Sequence, residues 1–251
     1  MQSAEKSFDA TLADVADVEG WMTDAQARRL WDSARRVAPG GRIVEIGSFR
    51  GRSAIVLARA AADGVEVVAI DPHLGTDRGP QEMVTTAEHG DSDHEQFLAN
   101  LARAGVQDRV RHVRKLSSAA SADVADPITL LYIDGAHRFG PARADIRDWG
   151  ARVAPGGTLL VHDTFSSVGV TAAIATELLD GRAGFEYVGR SGTLAEYHRS
   201  ELDTNTRVSN AGRQLAQLPY FVRNLAIKVL IVLRLRSLTR LLGQPTAEWP
   251  Y

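Results

Sequence analysis

The chain has no cysteine among its 251 residues. That excludes a disulfide framework and any mechanism built on a thiolate. It also lacks a strong net charge. Lys and Arg number 29 against 31 Asp and Glu, a balance of −2, so nothing draws the whole molecule toward nucleic acid. The opening residues, M-Q-S-A-E-K-S-F-D-A, have no apolar core of the signal-peptide kind, which makes a cytoplasmic location the expectation. An unbroken apolar run long enough to span a bilayer is missing too. The nearest, Leu218 to Leu242, is interrupted by Lys228, Arg234, Arg236 and Arg240, which argues against a transmembrane helix. His73, His89 and His94 show no zinc-ligand spacing and read mostly as solvated. What remains, 44% apolar and 24% charged residues, is ordinary for one soluble α/β domain with an extension.

The near-neutral total hides an asymmetry. From Asn205 onward seven basic residues face Glu248 alone, so the tail carries +6 and the rest of the chain −8. The expected division is therefore a domain over 1–204 and a basic, amphipathic helical extension over 205–251.

The most informative stretch is Arg42 to Ser53, R-I-V-E-I-G-S-F-R-G-R-S. A short apolar run ends at Gly47, a turn containing Gly51 follows, and an Ala/Leu-rich helical pattern runs on through Ala62. Strand, glycine turn and helix in this order let backbone N–H groups and a helix N-terminus approach a ligand closely. Glu45 stands at the strand's carboxyl end, where open α/β sheets place ligands. Ser48 and Ser53 suit the N-cap of the helix and contact with a ligand alike. Arg50 and Arg52 could hold a carboxylate or face water.

Along the rest of the chain, residues 1–20 read as irregular. Thr23 with Gln26 predicts a capping box for a helix that ends at Pro39-Gly40-Gly41. Further strands are predicted over 65–70, 110–116, 128–133 and 158–162, with an antiparallel pair over 185–188 and 193–197. Helices are predicted over 93–104, 141–153 and 168–179, and a long loop with the length of a lid over 73–92. This alternation predicts a doubly wound, mostly parallel sheet. An acid or hydroxyl ends strand after strand: Glu45, Asp71, Ser117, Asp134 and Asp163. All these tips fall on one edge, and that convergence is the main functional signal.

E-I-G-S-F-R-G at 45–51, with Asp71, L-Y-I-D-G-A-H at 131–137 and A-P-G-G-T-L-L-V-H-D-T at 154–164, resembles the class I S-adenosylmethionine-dependent methyltransferases. Within them it is similar to a metal-dependent branch that methylates sugar hydroxyls on macrolides and polysaccharides. Phe49 replaces the middle glycine of the first motif, and His162 stands where a second acid is often found. The resemblance spans roughly 40–200 and leaves the tail uncovered. It implies a Rossmann-like, seven-stranded sheet with an N-terminal helix and a C-terminal helical extension, and S-adenosylmethionine as cofactor. Glu45, Gly47, Ser48, Gly51 and Ser53 would line its methionine and ribose part, and Asp71 would bond the ribose hydroxyls. His73 would lie beside the adenine, and Ser117 or Ser118 near its edge. Asp134 would serve cofactor and catalysis alike. Asp134 and Asp163, with His162, would hold a divalent metal, Mg²⁺ being the expected ion, and His137 would act as general base.

The implied reaction is O-methylation of a sugar, oligosaccharide or related hydroxyl. A nicotinamide-dependent reductase competes through Gly47-x-x-x-Gly51, but G-x-G-x-x-G is lacking and no tyrosine is followed by a lysine four positions on. A non-catalytic nucleotide-binding or membrane-associated module is the other alternative. The −8 body argues against a nucleic-acid partner. For the tail, three placements stay open: packing on the domain or a second subunit, lying on an anionic membrane surface, or folding over the acceptor pocket.

Overall fold

A computed structural model describes residues 7–75, 87–244 and 249–250. Helices α1 (Phe8–Asp14) and α2 (Asp24–Arg35) lead into the alternating core. This comprises β1 (Arg42–Ile46), α3 (Arg52–Ala60), β2 (Glu66–Ile70), α4 (Ala87–Ala104), β3 (Val110–Val113), β4 (Ile128–Ile133), α5 (Phe139–Gly150), β5 (Val153–Val161) and α6 (Val168–Glu177). The hairpin β6 (Phe185–Ser191) and β7 (Leu194–Arg199) follows, then α7 (Thr204–Leu215), α8 (Leu218–Val232) and a 3₁₀ segment, Arg236–Leu242.

The seven strands form one sheet in the order β3-β2-β1-β4-β5-β7-β6, with β7 antiparallel to both β5 and β6. The alternating faces of β1 show how sequence sets the layers. Ile43 packs among α1 to α4, and Val44 and Ile46 pack among α5 and α6. This is an α/β, Rossmann-like fold.

Several local expectations are corrected. Residues 8–14 are helical, not irregular: Ser7 caps them through Ala10 N–H, and Phe8 packs edge-on against Trp31 at 5.7 Å. Helix α4 begins at Ala87, so 87–92 are not loop; the lid expected between them and His73 falls largely on 76–86, outside the described residues. Strand β3 stops at Val113 rather than Leu116. Pro155-Gly156-Gly157 is no turn before β5 but an irregularity inside it, where the register with β4 shifts. Such a bulge absorbs residues that cannot complete a ladder. The capping box is formed: Thr23 N–H donates to Gln26 Oε1 at 2.7 Å, and Gln26 N–H to Thr23 Oγ1.

The extension is attached by buried polar contacts. Asn210 accepts from Tyr187 N–H at 2.7 Å and donates to Phe185 C=O at 3.0 Å, so α7 satisfies backbone groups of edge strand β6. Asn224 on α8 donates to Phe165 C=O at 2.9 Å, and Lys228 to Ser166 C=O at 2.8 Å.

Candidate functional site

At the carboxyl edge of the parallel strands, the residue after each strand donates to the last carbonyl region of its neighbour. Asp71 N–H bonds Val113 C=O at 3.2 Å, Gly47 N–H bonds Ile70 C=O at 2.9 Å, Asp134 N–H bonds Ile46 C=O at 2.8 Å, and His162 N–H bonds Ile133 C=O at 2.9 Å. Five strand tips are thereby held side by side. Gly47 has φ +85°, and a Cβ there would sit 2.2 Å from the Asp134 carbonyl oxygen, so no other residue fits this step.

Over this edge lies a cavity of about 590 Å³, within the range of small-molecule sites. Of the expected residues, Gly47, Ser48, Ser53, Asp71, His73, Ser117, Ser118, Asp134, His137, His162 and Asp163 all line it. Two do not. Gly51, at φ +87°, is the N-cap of α3 and packs toward the Phe97 ring. Glu45 is wholly buried beneath the floor, accepting from Ser48 Oγ at 2.7 Å and from Ser53 Oγ. Arg50 and Arg52 are engaged with the protein, Arg50 with Asp93 at 3.0 Å and with Glu19, and Arg52 with Gly20 C=O.

The acids of the site solve the problem of burial differently. Glu45 is desolvated, and burial outweighs its two serine hydrogen bonds, pushing its pKa up to about 8. Near neutrality it therefore carries a proton. Asp71 uses backbone instead: Oδ2 accepts from Ser48 N–H and Phe49 N–H, both at 2.8 Å, and Oδ1 from His73 N–H at 2.7 Å. Asp163, at φ +55°, lies against two histidines. Burial would raise its pKa, but nearby His162 and the hydrogen bond from His137 hold it well below the carboxylate range.

Asp134, His162 and Asp163 each offer a ligand atom, and these lie within 4.8 Å of one another. His162 Nδ1 is 3.2 Å from Asp134 Oδ1, yet both its ring nitrogens are buried without a hydrogen-bond partner. Tyr132 O–H donates to Asp134 Oδ2 at 2.8 Å, orienting that carboxylate. His137, in the turn that follows Asp134, bonds Asp163 through its Nε2. Burial works to lower the His137 pKa, but the Asp163 bond and the charges of Asp163 and Asp134 prevail and raise it.

Three features escaped the sequence reading. Trp21 and Phe49, ring centroids 5.2 Å apart, form an apolar wall of the cavity with Met22. His94 is not merely solvated: its ring packs against His73 at 5.2 Å and His112 at 5.1 Å. Burial beside those two histidines presses His112 down to about 4. Asp145 reaches the cavity from α5, accepts from Ser117 Oγ at 2.5 Å, and is raised by burial to about 6. A signal for Asp145 existed: it shares the inward stripe of Ala142, Ile146 and Trp149.

The raised Glu45 makes a stability prediction. Its folded pKa exceeds the unfolded value, so folding binds a proton and stability falls as pH rises between about 4.5 and 8. Glu45→Gln should flatten that decline in urea midpoints measured across this window; parallel profiles for the two proteins would contradict the assignment.

The sequence pattern of a family described as "Methyltransferase domain" matches residues 44–164. An uncharacterized protein of Sinorhizobium fredii, y4gI, is 28% identical over 127 residues, covering 49% of this chain but only 13% of the relative's length. Among solved structures, cofactor-bound Rv0187 from MTB is 22% identical with a TM-score of 0.55, covering 77% of this chain and 89% of that one. The O-methyltransferase TomG from Streptomyces achromogenes, in complex with SAM, is 20% identical with a TM-score of 0.53, covering 80% and 92%. The Bacillus cereus O-methyltransferase in complex with SAH is 17% identical with a TM-score of 0.53, covering 79% and 92%. These structural likenesses show the fold. That fold is the α/β Rossmann-like one of methyltransferases, and the family match, over just under half of the chain, takes in the strand-tip residues from Glu45 to Asp163.

Proposed function

We propose that the protein transfers a methyl group from S-adenosylmethionine to a hydroxyl of a sugar, oligosaccharide or related small molecule, assisted by a divalent cation and His137. One observation carries this reading: Asp134, His162, Asp163 and His137 open into the same cavity as the Gly47–Ser48 turn and Asp71.

The residues fit a metal. Two carboxylates and a neutral imidazole are a common donor set for divalent ions, and an ion would give one of the two partnerless ring nitrogens of buried His162 a partner. An ion held there would act as a Lewis acid on acceptor oxygens. His162 shifts the set away from the all-oxygen environment Mg²⁺ favours, so Mn²⁺ belongs in any test beside it.

Bound S-adenosylmethionine supplies a methyl already activated on a sulfonium, leaving alignment and proton removal to the protein. A carboxylate offers about four lone-pair sites. Three of those on Asp71 are spent on backbone amides, which leaves room for one ribose hydroxyl. Ser48 lines the cavity while bonded to Glu45, so it links the ligand to the buried acid below. The Trp21–Phe49 wall excludes water from one side. Asp163 holds the His137 ring through Nε2, which leaves Nδ1, a nitrogen without a hydrogen-bond partner, to accept the acceptor's proton. The reductase alternative is not favoured, since no tyrosine–lysine pair is among the described residues that line the cavity.

A panel of sugars assayed with methyl-labelled cofactor tests the reading. EDTA should abolish transfer, and Mg²⁺ or Mn²⁺ should restore it, with Asp163→Asn beyond rescue; transfer indifferent to chelation would remove the metal from the account. His137→Ala should lower kcat by roughly 10²–10⁴-fold with cofactor affinity nearly unchanged. Undiminished kcat would refute its role as base.

A further inference from the structure

Helix α8 has two faces of opposite character. Asn224, Ile227 and Ile231 are buried against the domain. On the opposite side Leu218, Val222, Leu225, Val229 and Val232 recur at steps of four and three, a continuous apolar stripe. Of these, Val222, Val229 and Val232 are between 55% and 65% exposed. On α7, Val208 and Leu215 prolong the stripe at seven-residue intervals and are exposed as well. Beyond α8 the pattern changes without ending. Exposed Leu233, Leu235, Leu238 and Leu241 alternate with exposed Arg234, Arg236 and Arg240 through the 3₁₀ segment. A patch this extended normally has a partner.

Charge chooses among occupants. Every formal charge between Thr204 and Gln244 is positive, seven in all. Arg213 is paired with Glu186, and Lys228 is bound to Ser166 C=O. Arg234, Arg236 and Arg240 make no ion pair among the described residues. A second copy of this helix would bring cations against cations, with no acid on the stripe or its flanks to offset them. An anionic bilayer offers what the patch lacks: phosphates for the guanidiniums and hydrocarbon for the leucines and valines between them.

We propose that this face docks on an anionic membrane surface, α7 and α8 lying in the interface with their inner side still fixed to the domain. The helical run Thr204–Val232 is long and apolar enough to cross a bilayer by length and composition. Crossing would require breaking the Asn210 bonds to β6 and the Asn224 and Lys228 bonds to Phe165 and Ser166. It would also expose those groups to hydrocarbon, so the helices lie on the surface. Phe165 and Ser166 closely follow Asp163, so docking would fix the methyl-transfer edge relative to the bilayer.

The full chain should co-sediment with phosphatidylcholine vesicles containing phosphatidylglycerol, not with phosphatidylcholine alone, and should be released by high salt. At about fivefold per cation, the triple variant Arg234→Gln, Arg236→Gln, Arg240→Gln should bind about 100-fold more weakly. Leu238→Ser with Leu241→Ser should also weaken binding, and circular dichroism should be unaltered in both. Three results would overturn the proposal: no binding to anionic vesicles, whether the chain is monomeric or self-associated by light scattering; undiminished binding of the triple variant; or retention through high salt and alkaline wash, which would mean a spanning helix.

Discussion

The site depends on one backbone constraint, the row of hydrogen bonds running across the carboxyl ends of β3, β2, β1, β4 and β5. Parallel strands have no freedom to slip once Asp71, Gly47, Asp134 and His162 each donate to a neighbouring strand. Any polar side chain placed just beyond a strand must then stand over the same cavity. The requirement for glycine at position 47 is part of this constraint, because the Asp134 carbonyl occupies the space a side chain would need. Asp71 closes the arrangement from the side, gathering the amides of Ser48, Phe49 and His73 onto one carboxylate. Hydrogen bonds to a charged acceptor contribute about 1.5–3 kcal/mol each, enough to hold the glycine turn open without a ligand.

Bringing five acids to one edge carries an electrostatic cost, and the fold distributes it. Glu45 sheds its charge, Asp71 is solvated by backbone, and Asp163 keeps its charge against two histidines. Asp145, on the far wall, rests on Ser117 alone and sits near the edge of ionisation. Neutral and charged carboxylates within one cavity give distinct tasks to residues of one type, which is how sites of this kind separate structural from chemical roles.

Much of this was legible because it is local. The strand–glycine–helix at 42–53, the Thr23–Gln26 box and the tip acids are written in residues adjacent in sequence. What escaped depends on contacts between distant segments. Helix α1 is a short stretch stabilised by Phe8 on Trp31, and propensity alone does not announce it. The polar start of α4 is helical with Gly90 set close against the His73 carbonyl, an approach no periodicity reveals. Pro155-Gly156-Gly157 has the composition of a turn, yet its neighbours pair with β4 on both sides. Glu45 was placed at the correct strand end but not at the correct depth: its position on the α3 face turns it toward Ser53 and away from the cavity. Asp145 lies on the apolar stripe of α5, where periodicity alone gives an acid no role beyond the helix.

The central claim is that this edge binds the methionine cofactor, and calorimetry with S-adenosylhomocysteine tests it most directly. The account predicts saturable one-to-one binding to the wild-type chain, at least tenfold weaker binding to Asp71→Asn, and none of NADP. Absence of S-adenosylhomocysteine binding, or equal affinity in the Asp71→Asn variant, would contradict it.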